Sequence, residues 1–198
     1  MPTGFSLEFT RRYCMAHRLL AGLAPKCAFP HGHNEYVRVR LAPRTNIPLD
    51  GVGNMVEEFG AAKRLWHQWI DDSVDHSFHL SERDPLVEYF LEHEPAAIPR
   101  LLITPGDPTT ECLAACFLDK LTAFLLAQRS LLECTSIRIS ETPTNAVTLY
   151  ATSKRVLPET SHLPWWRRAD MSINDLADSA LRSLAVETRD PERAIKAR

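Results

Sequence analysis

The sequence predicts an α+β domain in the order strand, strand, helix, helix, strand, strand. Three observations carry this: two-residue alternation near the N-terminus and after His31, two long stretches with apolar residues at helical spacing, and a second pair of alternating segments beyond residue 136. Phe5, Leu7 and Phe9 alternate with polar residues and predict a first strand running toward Ala16 and His17. Gly22, Pro25 and Pro30 punctuate a loop over 20–30. From His31 a second strand follows, with Val37, Val39 and Leu41 on one side and Tyr36, Arg38 and Arg40 on the other.

Pro48, Gly51 and Gly53 mark a turn, after which Val56, Phe59, Lys63, Trp66 and Trp69/Ile70 predict an amphipathic helix over 55–71. A short helix is expected over 84–94. Asp107 as N-cap and Pro108 at the first helical position announce a second long helix, with Leu113, Phe117, Leu121 and Phe124 on its buried stripe and its end near Gln128. Ile137 and Ile139 lie on a third strand reaching Glu141. Pro143, Thr144 and Asn145 turn the chain, and Val147 to Ala151 return as a fourth strand. Residues 1–152 therefore read as one domain and 153–198 as a charged C-terminal extension. That extension carries Trp165-Trp166-Arg167-Arg168, an expected short helix over 172–185 and a frayed end over 190–198.

A net charge of −2 supplies no basic field for wrapping nucleic acid. No apolar run is long enough to span a bilayer, and Met1 to Phe9 show no secretory pattern. Cys14, Cys27, Cys112, Cys116 and Cys134 are an odd, scattered set, which reads as reduced thiols in a cytoplasm.

The chemistry concentrates around His31 and His33. Alternate residues on a strand face the same side, so both imidazoles can reach one ion, and Gly32 between them leaves room for close approach. If the first two strands pair as a hairpin, His17 falls beside them. Three imidazoles leave a fourth coordination position open, as catalytic zinc sites do, although the ligand type also admits copper, nickel and iron. Cys27 lies four residues before His31. A thiol beside a dication loses its proton more readily, which suits it to act as base or nucleophile. The other cysteines, including the one-turn pair Cys112 and Cys116, read as inert or core. Asp75-His76 has the makings of a carboxylate-oriented proton relay. A second metal pair of His76 with His79 is weakened by Pro85 and the polar run before it. From spacing alone, Glu141 reads as a solvated carboxylate at a strand end.

Taken in series, several segments resemble the 6-pyruvoyl-tetrahydropterin synthase and 6-carboxytetrahydropterin synthase family. They are Ala16-His17-Arg18-Leu19, Cys27-Ala-Phe-Pro-His31-Gly-His33-Asn34, Gly53-Asn-Met-Val-Glu-Glu-Phe59 with Lys63, Asp75-His76-Ser77, Pro108-Thr109-Thr110-Glu111 and Glu141-Thr142. They span about residues 5–151. The resemblance implies a tunnelling fold (T-fold): a four-stranded antiparallel sheet with two helices on one face, its edges joined between subunits into a barrel. It implies a homo-oligomer with sites between subunits, Zn2+ on His17, His31 and His33, Cys27 as proton acceptor, Asp75 and His76 as relay, Glu141 as anchor of the pterin ring, and Thr110 and Glu111 near that ring. The implied substrate is 7,8-dihydroneopterin triphosphate. Three residues between Cys27 and His31 resemble the carboxy branch, which releases acetaldehyde and feeds 7-deazaguanine and queuosine synthesis. The alternatives are the pyruvoyl branch or a non-catalytic pterin-binding paralogue. The chain departs from the family pattern at Glu58, at His79-Leu80, in a longer segment over 79–105, and in the tail beyond 152.

Overall fold

A computed structural model describes residues 4–22, 25–151 and 156–176. Its centre is the predicted hairpin. β1 (Leu7–His17) pairs antiparallel with β2 (His31–Pro43) in unbroken register from Leu7 opposite Leu41 to His17 opposite His31. β5 (Leu132–Ser140) pairs antiparallel with β2, and β6 (Ala146–Tyr150) with β5. These four strands are the expected ones.

The sheet is larger than expected. It has six strands in the order β4-β3-β1-β2-β5-β6, and it is mixed, not purely antiparallel. β3 (Ser77–Ser81) runs parallel to the last residues of β1, and β4 (Leu101–Thr104) runs parallel to β3. The longer segment over 79–105 builds this addition. A helix, α2 (Pro85–His93), carries the chain between the two strands, as parallel neighbours require. Asp84 caps α2 by accepting the Leu86 N–H at 2.8 Å, and the same carboxylate pairs with Arg18.

α1 spans Phe59–Trp69, later than the predicted start at residue 55, and widens into a π-helical turn over Ile70–Val74. Ala62, Trp66 and Trp69 form its buried stripe, whereas Phe59 is half exposed. α3 (Thr110–Ala127) is capped by Thr109, whose hydroxyl accepts the Cys112 N–H, and not by Asp107. Asp107 is engaged elsewhere, accepting the Ala21 N–H at 2.7 Å.

α1 and α3 pack one face of the sheet. Val37, Val39, Leu41, Ile137 and Ile139 meet Trp66, Trp69, Leu113, Phe117, Leu121 and Phe124 in the main core. Residues 156–176 form a strap belonging to that same core through Leu157, Trp165, Trp166 and Ile173. The Trp165 indole N–H donates to the Ile103 carbonyl at 2.7 Å. Lys120, on α3, is fully buried beneath the strap, donating to the Trp165 carbonyl at 3.0 Å and to Asp170 at 3.1 Å. Burial pushes its ammonium down to about 8, with Asp170 opposing the shift. Residues 172–175 are not helical. Leu176 is helical, while residues 177–185 of the expected helix, and the end over 190–198, lie outside the described residues.

Candidate metal and pterin site

The hairpin register delivers the three histidines to one point. His17 and His31 are direct cross-strand partners, and His33 is the next residue inward on β2. Their ring centroids lie 4.5, 5.1 and 5.1 Å apart, and one nitrogen from each comes within 4.8 Å of the others. Gly32 makes this approach possible. A Cβ there would sit 2.8 Å from the Met15 carbonyl oxygen on β1, closer than real packing allows.

The tautomers follow from hydrogen bonds at the back of the rings. His17 Nδ1–H donates to the Pro108 carbonyl at 3.0 Å, and His31 Nδ1–H donates to the Phe29 carbonyl at 2.9 Å. Carbonyl oxygens only accept, so in the neutral rings both Nε2 atoms present lone pairs, and these face each other at 3.1 Å. Two lone pairs at that distance repel unless a cation lies between them. His33 Nε2 is also buried and has no hydrogen-bond partner. Burial lowers the pKa of His17 and favours the neutral ring that a metal requires. Imidazoles held from behind by carbonyls are the usual second contact of zinc-ligating histidines, so the residues fit the ion.

Glu141, just past β5, stands 4.0 Å from His33 Nε2 and accepts the Thr110 hydroxyl at 3.3 Å. Thr110 is buried at the first turn of α3, and Glu111 is exposed beside it. A cleft of about 720 Å³ opens alongside, lined by His33, Glu141, Thr142, Asn145, Tyr36 and Arg138. The predicted set His17, His31, His33, Glu141 and Thr110 is thus brought together in one chain.

Asp75 and His76 also meet. Asp75 Oδ2 and His76 Nδ1 are 2.9 Å apart, while Asp75 Oδ1 accepts the Cys14 N–H at 2.7 Å. Partial burial opposes it, but the Cys14 amide and His76 together hold the Asp75 carboxyl below the usual carboxylate range. His76 sits in the left-handed backbone region at φ 62°, with its ring turned outward. Cys27 lies in a 3-10 turn (Pro25–Ala28) before β2, its thiol half-buried and its carbonyl accepting the Leu19 N–H at 2.8 Å. Among the described residues no hydrogen bond or ion pair joins Cys27 to Asp75 or His76.

Two further polar groups lie here, Glu35, which the motifs did not flag, and His79, which stands where the chain departs from the family pattern. Glu35 follows His31 and His33 on the same face of β2, fully buried, with one oxygen accepting the Tyr13 hydroxyl and the other unpartnered. Burial pushes its carboxyl up to about 7. The two-residue period that pairs the histidines also points to Glu35. His79 is in register beside His17 across the parallel β1–β3 pair, donating from Nε2 to the Ser77 hydroxyl at 2.8 Å. Its burial lowers the pKa to about 3.

A curled sheet backed by two long helices, with three imidazoles converging at the mouth of its central hairpin, is a T-fold carrying a pterin-synthase type of site. The chain belongs to the 6-pyruvoyl tetrahydropterin synthase family, whose sequence model matches residues 6–152. Among curated proteins it is similar to the 6-carboxy-5,6,7,8-tetrahydropterin synthase of Rickettsia bellii, with 27% identity over 139 residues, covering 69% of this chain and 95% of that protein. The enzyme of the same name from Rickettsia conorii is 29% identical over the same shares. Among solved structures, an uncharacterized protein from Wolinella succinogenes shares the fold with a TM-score of 0.61 at 21% identity, over 74% of this chain and 98% of that one. The Caenorhabditis elegans 6-pyruvoyl tetrahydropterin synthase gives a TM-score of 0.51 at 22% identity, over 77% and 99%.

Proposed function

We propose that this chain is a zinc-dependent lyase of the 6-carboxy-5,6,7,8-tetrahydropterin synthase type, acting on 7,8-dihydroneopterin triphosphate in 7-deazaguanine and queuosine synthesis. The observation that carries the reading is the convergence of three imidazole nitrogens, with the Nε2 atoms of His17 and His31 facing each other and the buried Nε2 of His33 without a hydrogen-bond partner. The naming of the Rickettsia relatives and the short Cys27–His31 spacing support the carboxy branch.

Zinc bound by His17, His31 and His33 would polarise side-chain oxygens of the substrate and acidify the neighbouring C–H bonds. The chain's own groups do the rest. Glu141, steadied by the Thr110 hydroxyl, accepts hydrogen bonds from the guanidine-like edge of the pterin, with Glu111 beside it. Cys27 takes a proton from the acidified carbon. Asp75 holds the Nδ1–H of His76, which leaves Nε2 of that ring to accept or return a proton.

The unpaired flank of the first part of β1 and the outer edge of β6 suit pairing between copies. The functional unit is accordingly a homo-oligomer in which Cys27 and Asp75–His76 meet across subunits. Five unpaired cysteines among the described residues suit a cytoplasmic setting.

The test is incubation of the zinc-loaded protein with dihydroneopterin triphosphate and mass spectrometry of the products. A carboxylated tetrahydropterin with acetaldehyde is expected. A pyruvoyl product would move the chain to the other branch, and tight binding without turnover would make it a pterin-binding paralogue.

A further inference from the structure

Asp75 and His76 are presented by an irregular piece of backbone. α1 ends in the π-helical turn Ile70–Val74, closed by the Asp75 N–H donating to the Ile70 carbonyl at 2.7 Å. His76 then adopts a positive φ, which costs a non-glycine residue free energy and persists only where surrounding contacts enforce it. A turn of this kind does not hold its side chains by itself.

Cys14 on β1 holds the pair directly, its N–H donating to Asp75 Oδ1 at 2.7 Å and its carbonyl accepting the His76 N–H at 2.8 Å, and the turn that leads into the pair is held by two other parts of the chain. Arg100, at the end of a 3-10 turn (Pro95–Arg100) leading into β4, donates from one guanidinium nitrogen to the carbonyls of Asp72 at 3.1 Å and Asp75 at 3.3 Å. The strap grips the same turn from the other side. The Ser73 hydroxyl donates to the Met171 carbonyl at 2.8 Å, and the Trp69 indole to the Ser172 carbonyl at 3.2 Å. The two grips are tied together. The Asn174 amide, itself buried, donates to the carbonyls of Ile98 and Leu101 at 2.9 and 2.7 Å, on either side of Arg100.

We infer that the strap and the segment leading into β4 form one clamp that fixes the Asp75–His76 pair, with Arg100 and Ser73 as positioning residues. The strap lies outside residues 6–152, which match the family, whereas Ser73 and Arg100 lie within them. The inference rests on reading Asp75–His76 as the proton relay. Its geometric part stands independently of what substrate is processed. Loss of the clamp lets the turn relax, His76 leave its strained backbone and the Nδ1–H bond to Asp75 open.

The experiment uses the 15N-labelled, zinc-loaded full-length protein. Long-range proton–nitrogen spectra of the His76 ring, assigned with His76→Gln, report which nitrogen carries the proton. A single Nδ1-protonated tautomer is expected in the parent at pH 8. Arg100→Met and Ser73→Ala should show averaging of both tautomers, and Arg100→Lys should keep the parent signature. With dihydroneopterin triphosphate, kcat should fall about ten-fold or more in Arg100→Met with KM and zinc content unchanged, since general acid–base positioning contributes factors of this order. An unchanged His76 signature in both Arg100→Met and Ser73→Ala overturns the clamp. Ser73→Ala removes one hydrogen bond only and decides the matter should Arg100→Met fail to fold. A parent protein without turnover would defeat the lyase reading, while the ring spectra would still decide the clamp.

Discussion

Replacing Trp165 by alanine removes the side chain that ties the strap to the rest of the molecule. The indole is 1% exposed, stacks on Trp69 at 6.1 Å, meets Trp166 edge-on at 5.6 Å and donates to the Ile103 carbonyl. Truncating a buried tryptophan to alanine costs about 3–5 kcal/mol in lost transfer energy and cavity. The orphaned Ile103 carbonyl adds about 1 kcal/mol. For a protein of this size each kcal/mol lowers Tm by about 2–4 °C, so Trp165→Ala should melt roughly 8–24 °C below the parent. Trp165→Phe keeps most of the apolar volume and should fall between the two. The assay is calorimetry of the zinc-loaded protein at fixed concentration, because metal and subunit association both raise Tm by mass action. A fall under about 3 °C in both variants would refute the reasoning, since it would mean that residues 156–176 do not share the core.

Four further outcomes follow from the same structure. His33→Ala should abolish stoichiometric zinc by elemental analysis, and chelation of the parent should lower its Tm, whereas neither should alter a protein whose imidazoles meet by accident. Gly32→Ala should lower zinc affinity without touching a ligand, because its methyl would push β1 away from β2 at Met15; unchanged affinity would argue against the tight register. His79 stays neutral in the fold down to about pH 3, while the unfolded chain protonates it near 6.5. Above pH 6.5 the buried ring therefore carries no linkage cost, stability falls by about 1.4 kcal/mol per pH unit as pH drops from there toward 3, and denaturant titrations of His79→Phe should lack that slope. Glu35 has the opposite sign: the fold keeps its proton up to about pH 7, the unfolded chain only to 4.5, so its contribution falls by about 1.4 kcal/mol for each pH unit between those values. Glu35→Gln should accordingly be more stable than the parent at pH 8, and a less stable variant would show that the ionised carboxylate has an unseen partner.

The histidine cluster is legible in the sequence because it uses only local rules. A strand period of two sets His31 and His33 on one side, and an unbroken hairpin register sets His17 opposite His31. The buried stripe of α3 is legible for the same reason. What the sequence leaves hidden is decided by contacts from far along the chain. Asp107 and Thr109 are both good capping residues, and the choice falls to Thr109 because Asp107 is taken by the Ala21 amide. β3 and β4 are short and buried, Leu101 to Ile103 forming a continuous apolar run without alternation, so periodicity does not distinguish them. The strap has no period at all. Its attachment runs through indole nitrogens, one buried lysine and backbone carbonyls, none of which leaves a repeating mark. The meeting of Asp75 with His76 is legible as adjacency, but the π-helical turn and positive φ that enforce it are not.

Pro108 and Thr110, on either side of the helix cap Thr109, each hold a different group of the site. Pro108 supplies the carbonyl behind His17, and Thr110 supplies the hydroxyl that steadies Glu141. The start of α3 thereby fixes the spacing between the histidine cluster and the Glu141 carboxylate, stiffened by proline at one end and a helix at the other. On the proposed function, a pterin with its first hydroxyl one carbon further out would satisfy one end of that spacing only by releasing the other.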